Sequence, residues 1–133
     1  VACQILQNEG AVERTRIAAL RTRLEAELRR QFANAHIIGG GAERLPNTTL
    51  VCFEGVASEA LLMLLSDVGI CASGGAACAS GSQEPSHVLK AMGVPPPIAL
   101  GEVRFSLGRF NTDADLDRLF QILPGALRKV AAL

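Results

Sequence analysis

Cys78 stands in the run Ser73-Gly74-Gly75-Ala76-Ala77-Cys78-Ala79-Ser80-Gly81-Ser82, where every neighbour is small and nothing bulky shields the sulfur. A thiol carried on such a chain can travel to a substrate. The helix start expected at Glu84-Pro85-Ser86 has exposed N–H groups, and a loop folded back over them would favour thiolate over thiol. The residues alone leave two readings open, a reactive thiolate or a small apolar cysteine in a loop, because reactivity follows ionisation and exposure. Arg104, in Glu102-Val103-Arg104-Phe105-Ser106-Leu107, carries a guanidinium able to grip a carboxylate through two parallel hydrogen bonds. On composition alone, a surface ion pair is the simpler role for it.

The other candidates carry less chemistry. His87 follows the small-residue run and titrates near neutrality, which suits a proton shuttle, but a structural role is preferred. His36 is read as a strand edge, and Arg109 as structural, paired with Asp113 or Asp115. Cys3, Cys52 and Cys71 lie in apolar stretches, where free cysteine behaves as a small hydrophobe. Gly39-Gly40-Gly41 lacks the spacing of a phosphate loop and reads as a turn between strands. The cysteines and histidines show no paired spacing of the kind zinc sites use, so no metal site is expected.

The chain of 133 residues fits one domain, and its 49% apolar and 20% charged residues describe a foldable globular sequence. Thirteen basic residues balance thirteen acidic ones, and Trp and Tyr are absent. Neither a nucleic-acid surface nor attraction to an anionic membrane is supported. No segment is long and apolar enough for a membrane span. Four cysteines without CxxC spacing suggest reduced thiols in a cytoplasm-like compartment. The start at Val1 looks mid-helix, which suggests a piece of a longer polypeptide.

Several elements must position these residues. Ile17, Leu20, Leu24 and Leu28 recur at helical steps between Val12 and Phe32, with charges between them. His36 to Gly41 and Thr48 to Phe53 read as strands. Ser58 is expected to cap a helix bearing Leu61, Leu62, Leu64, Leu65 and Val68, ended by Gly69. Ile70-Cys71-Ala72 reads as a brief strand and 73–83 as a loop. Glu84 opens a short helix through Met92, which Gly93 and Pro95-Pro96-Pro97 end. Glu102 to Leu107 alternates as a half-buried strand does. Thr112, with Asp113, Asp115 and Asp117, starts a final helix that Pro124-Gly125 should kink or split. The order predicts an α+β fold with helices on a small sheet.

Residues 72 to 92, ASGGAACASGSQEPSHVLKAM, resemble the active-site loop of cysteine desulfurases of the nitrogen-fixation and iron–sulfur-assembly type. Residues 103 to 117, VRFSLGRFNTDADLD, resemble the strand and helix that follow it. Upstream, Arg44-Leu45-Pro46-Asn47-Thr48-Thr49, Phe53-Glu54-Gly55 and the stretch from Glu59 to Ile70 keep the family's order, so the resemblance covers roughly residues 12 to 130. Around the thiol, Gly74, Ala76 and Ala79 stand where the family often has hydroxyl residues. That departure bears on loop hydrogen bonding and rate more than on identity.

The resemblance implies the small C-terminal domain of a fold-type I pyridoxal-phosphate-dependent transferase, with a three- to four-stranded sheet covered by helices. Residues 1–133 would form that single domain, residues 1–11 being the remnant of a linking helix, and the large cofactor-binding domain would be absent. It further implies that substrate L-cysteine forms a Schiff base with pyridoxal 5'-phosphate. The thiolate of Cys78 attacks its sulfur, alanine leaves, and a persulfide remains on Cys78. The persulfide would pass to an iron–sulfur scaffold or other acceptor and could contact a nascent iron–sulfur cluster. Arg104 matches the family's substrate-carboxylate arginine, which reverses the preference drawn from composition. The family works as a homodimer, so the domain's own large domain and a second subunit are implied partners.

The chain has only Lys90 and Lys129, neither in the family's cofactor-lysine context. No cofactor-binding residue is therefore assigned here, and the isolated chain is expected to bind no cofactor and desulfurate nothing. Two alternatives stay open beside this reading. One is a stand-alone sulfur carrier or interaction module, and the other a part of a selenocysteine lyase-like enzyme. An inert α+β fold is the third possibility.

Overall fold

The computed structural model of the chain describes residues 2–74 and 85–132. The elements run α1 (Ala2–Gln31), β1 (Ala35–Ile37), β2 (Thr48–Phe53), α2 (Ser58–Asp67), α3 (His87–Ala91), α4 (Pro96–Ala99), β3 (Glu102–Ser106) and α5 (Asp113–Ala131). The three strands form one antiparallel sheet in the order β1-β2-β3, with Ala35 opposite Phe53, Cys52 opposite Glu102 and Leu50 opposite Arg104.

Strand alternation divides the sheet into two faces. Val51, Phe53, Val103 and Phe105 point to one, where they join Leu20, Leu24 and Leu28 of α1, Leu61 and Leu65 of α2, and Leu116, Leu119, Leu123 and Leu127 of α5. This is the main core, and it contains the helical stripe expected from Leu20, Leu24 and Leu28. The opposite face carries Cys52 and Leu50, covered by Leu89 of α3 and by Ile98 and Ala99 of α4. Glu102 and Arg104 belong to that second face by register.

The strands meet tightly beside Gly101. Its carbonyl accepts from Phe53 N–H at 2.9 Å, and a Cβ at this position would sit 2.0 Å from the Phe53 carbonyl oxygen. Only glycine permits that approach.

Several local expectations are corrected by the structure. Ile70-Cys71-Ala72 forms no strand: Gly69, at φ +77°, turns the chain around the end of α2, and Ile70 N–H donates to Leu65 O at 2.9 Å. Pairing with the sheet is limited to one bridge at Ser73. The first strand is only Ala35–Ile37, because Gly39 takes φ +67° and starts the turn. Ala57 occupies the cap position of α2, and the Ser58 hydroxyl donates instead to the Glu102 carbonyl at 2.5 Å. The helix expected from Glu84 begins at His87, with Ser86 Oγ accepting from Val88 N–H. The prolines expected only to terminate it also start α4, since Pro96 at its first turn is already set to a helical φ.

α5 bears out its predicted start, with Thr112 and Asp115 forming a capping box in which Thr112 N–H donates to Asp115 at 2.8 Å. It runs unbroken through Pro124, contrary to the expected split. Six buried side chains along this helix, among them Leu119 and Leu123 before the proline and Leu127 and Val130 after it, hold both halves on the core. That packing outweighs a proline penalty of about 3 kcal/mol.

Glu25 fastens α1 to the rest. Its carboxylate is almost wholly buried, accepts from the hydroxyl of Thr49 on β2, and lies 3.0 Å from Arg44 and 3.6 Å from Arg29. Burial alone would raise its pKa, but hydrogen bonds from Arg44 and Thr49 and the charges of Arg44 and Arg21 outweigh burial and hold it below the usual carboxylate range. A carboxyl depressed in the folded state contributes stability that is present above its unfolded pKa and is lost as pH falls through the folded value. Glu25→Ala is expected to destabilise the fold by about 3–5 kcal/mol, because it leaves buried guanidinium charge without its counterion. Urea unfolding at neutral pH measures this, and the deficit relative to the parent chain should shrink in acid.

Candidate functional site

Arg104 lies at the centre of β3, half-buried, with β2 along one edge and Ser73 along the other. Leu50 is its partner on β2. On the other edge Arg104 N–H donates to Ser73 O at 2.7 Å, and Ser73 N–H donates to Arg104 O at 3.2 Å. The residue that enters the Cys78 run is thus bonded to the backbone of the arginine. Cys78 itself lies outside the described residues, as do its neighbours from 75 to 84.

The Arg104 side chain differs from the other buried arginines. Its Nε is buried and has no hydrogen-bond partner among the described residues. Buried nitrogens on Arg21 and Arg44 also lack hydrogen bonds, but those side chains form ion pairs with Glu25. Arg104 pairs with no carboxylate among the described residues. Leaving a buried polar group unsatisfied costs about 1–3 kcal/mol, and more when it is charged. A carboxylate is the group that a guanidinium pairs with most strongly.

One further unpartnered atom shares this face. Glu102 Oε2, two residues before Arg104, is also buried without a hydrogen-bond partner among the described residues. The alternation of β3 placed both residues on one face from the sequence, but it did not reveal that either lacked a partner. Ser73 and Glu102 were not singled out in the sequence, since their significance depends on contacts made across the sheet.

The remaining candidates fall elsewhere. His87 is exposed at the first turn of α3, and His36 Nε2 sits 3.2 Å from Glu54 at the β1 edge, the position expected for it. Asp113 receives Arg23 at 2.6 Å and Asp115 belongs to the α5 cap, while Arg109 lies over the Phe110 ring at 5.8 Å. Cys52 is fully buried; burial and then the nearby Glu102 charge push its thiol up to about 12, which leaves it inert as a nucleophile. Cys71 is exposed, against the apolar surroundings expected for it, because the chain turns outward after α2 instead of joining the sheet. The side chain of Cys3 lies outside those described. Gly39, Gly40 and Gly41 form the expected turn. Among the described residues no cluster of His, Cys, Asp and Glu is placed to hold a metal, and no helix is long and apolar enough to cross a membrane.

Comparison with known proteins places this geometry. Residues 3–119 match the family model described as aminotransferase class-V. A cysteine desulfurase of Gluconacetobacter diazotrophicus is 48% identical over 130 residues, which cover 98% of this chain and 32% of that protein. The cysteine desulfurase NifS of Azotobacter vinelandii is 47% identical over 123 residues, covering 92% of this chain and 30% of the relative. Among solved structures, a NifS-like protein superposes with a TM-score of 0.74 at 32% identity, over 97% of this chain and 31% of that one. A second, the NifS-like protein from Rickettsia africae, also gives 0.74 at 30% identity, over 85% of this chain and 28% of its own. The chain spans about a third of the length of the curated relatives it matches. The likeness runs through sequence and fold alike, and this chain belongs to the class-V aminotransferase family.

Proposed function

We propose that the chain is the thiol-bearing small domain of a pyridoxal-phosphate-dependent cysteine desulfurase, with Cys78 as the sulfur acceptor and Arg104 as the grip on the substrate carboxylate. The observation that carries this reading is the half-buried Arg104, whose Nε has no hydrogen-bond partner among the described residues and whose backbone is bonded to Ser73. Cys78 is five steps along the chain from Ser73. At 3.3–3.6 Å per residue the sulfur-bearing residue can lie no farther than about 18 Å from the bridge. An amino acid held at Arg104 is within that span.

The reaction is a transfer of sulfur from L-cysteine to a protein thiol. The Cys78 thiolate forms a bond to the substrate sulfur, the substrate carbon–sulfur bond breaks, and its electron pair stays on carbon, which takes a proton. The products are L-alanine and a persulfide on Cys78, so atoms and electrons balance. A soft nucleophile that holds the transferred group covalently divides one difficult transfer into two steps. The persulfide would then go to an iron–sulfur scaffold or another acceptor protein, in a cytoplasmic homodimer.

The residues of this chain do not fit the cofactor. Lys90 on α3 and Lys129 in the last turn of α5 are both exposed, on elements other than the strand that carries Arg104. The cofactor lysine then belongs to a large domain of the same protein, outside these residues, with residues 1–11 as part of the helix leading to it. Mixed with pyridoxal phosphate and L-cysteine, the 133-residue chain is expected to develop no internal-Schiff-base absorbance and to release no alanine. The complete protein should do both, and mass spectrometry should find one added sulfur on Cys78. A complete protein that releases alanine with the sulfur on a different residue overturns the assignment.

A further inference from the structure

Gly39-Gly40-Gly41 lacks the spacing of a phosphate loop, yet the fold brings a guanidinium against this turn. A Cβ added at Gly40 would lie 3.0 Å from Nη2 of Arg29, whose side chain is 53% exposed on α1. Its contact with Glu25, at 3.6 Å, is too long for a hydrogen bond, and it donates none elsewhere among the described residues. The donors of Arg29 are therefore available. The turn closes through Ala42 N–H donating to Gly39 O at 3.1 Å, which leaves the N–H groups of the exposed Gly40 and Gly41 without a partner among the described residues. Successive free N–H groups at a turn favour an anion.

The local charge has the matching sign. Arg21, Arg29 and Arg44 all lie within 4.0 Å of the Glu25 carboxylate, so one negative charge faces three positive ones. Arg21 and Arg44 are mostly covered and already engaged, the first with the Leu45 carbonyl and the second with Glu25. Arg29 carries the excess to the surface. Glu43, exposed just beyond the turn, forms no ion pair with any of the three. A guanidinium fork beside two backbone donors suits a tetrahedral oxyanion, and a phosphate group supplies both the geometry and the charge. We propose that Arg29 and the Gly40 and Gly41 N–H groups bind a phosphate group, as free phosphate or at the end of a small organic phosphate. The site shares no residue with the Cys78 and Arg104 assignment, so each is tested separately.

The test is an NMR titration of the ¹⁵N-labelled chain with inorganic phosphate and, separately, with glycerol phosphate, at constant ionic strength so that screening does not change. The Gly40 and Gly41 amide and Arg29 Nε–H resonances should shift together along one saturating curve. Arg29→Gln should weaken binding about tenfold or more, as loss of a charge-assisted pair implies. Arg30→Gln removes an equal charge one residue away, from an arginine paired with Glu27, and should leave binding unchanged. Gly40→Ala should also weaken it, because the added methyl group meets the head of Arg29. Unaltered Val51 and Val103 amide shifts report an intact sheet in each variant, and the titration of the parent chain stands even if a variant does not fold. Saturation by either ligand supports the site, and the tighter one identifies the source of the phosphate group. Shifts that grow without saturating, or an affinity that Arg29→Gln leaves intact or lowers no more than Arg30→Gln does, overturn the site.

Discussion

In the complete protein, Cys78→Ser is expected to lower alanine release from L-cysteine by about a thousandfold or more. The sulfur-for-oxygen exchange keeps the size of the side chain but removes the atom that forms the persulfide. A serine hydroxyl stays protonated at neutral pH and has no adjacent base proposed to activate it. Substrate affinity should change little, because the proposed carboxylate contact is at Arg104 and not at Cys78. Cys52 cannot substitute from the core: it is fully buried, and burial together with the Glu102 charge pushes its thiol up to about 12, so it stays protonated at neutral pH. Cys71 is exposed and close in sequence to Ser73, so Cys71→Ser is the necessary control and should retain full turnover. Unchanged alanine release by Cys78→Ser would remove the central assignment, and loss only on Cys71→Ser would transfer it to that residue.

Arg104→Gln should reduce kcat/KM for L-cysteine about a hundredfold, mostly through KM. The change would remove the proposed bidentate, charge-assisted contact, which would be made in the ground state and the transition state alike. A hundredfold loss corresponds to about 2.7 kcal/mol, in the range of one or two hydrogen bonds to a charged group. Arg104→Lys should recover only part of it, since an ammonium lacks the planar fork. Thermal unfolding distinguishes binding from structure. An arginine with a structural ion pair would lose stability on substitution, whereas Arg104 forms no carboxylate pair among the described residues and its Nε is unsatisfied. The Arg104→Gln protein is therefore expected to melt no lower than the parent, and a drop of several degrees would argue for a structural role.

In the proposed site, substrate affinity and thiol position would be coupled through one short piece of backbone. The Ser73 bridge ties the start of the Cys78 run to the strand that carries the arginine. Movement of β3 would displace the carboxylate grip and the base of the thiol-bearing segment together. The tight approach at Gly101 and the Ser58 bond to the Glu102 carbonyl both oppose that movement. Glu25, on the other side of the sheet, holds β2 through Thr49. Rigid support of this kind matters for a two-part site, because misplacement by about 1 Å can cost two orders of magnitude in rate.

Local pattern was sufficient where the physical cause was itself local. The spacing of Leu20, Leu24 and Leu28 determined the buried stripe of α1, the Thr112–Asp115 pair determined the start of α5, and alternation from Glu102 to Ser106 determined β3. The motif around Cys78 and Arg104 carried the family. Tertiary structure decided whatever depended on a distant partner. Core contacts on both sides of Pro124 kept α5 whole, the turn at Gly69 withdrew Ile70–Ala72 from the sheet, and the Glu102 carbonyl took the hydroxyl expected to cap α2. It also decided that Cys71 is exposed and Cys52 buried, and that Glu102 Oε2 and Arg104 Nε are buried with no hydrogen-bond partner among the described residues. Periodicity and capping act over a few residues and are written in their order, whereas burial and hydrogen-bond satisfaction depend on which distant groups the fold brings together.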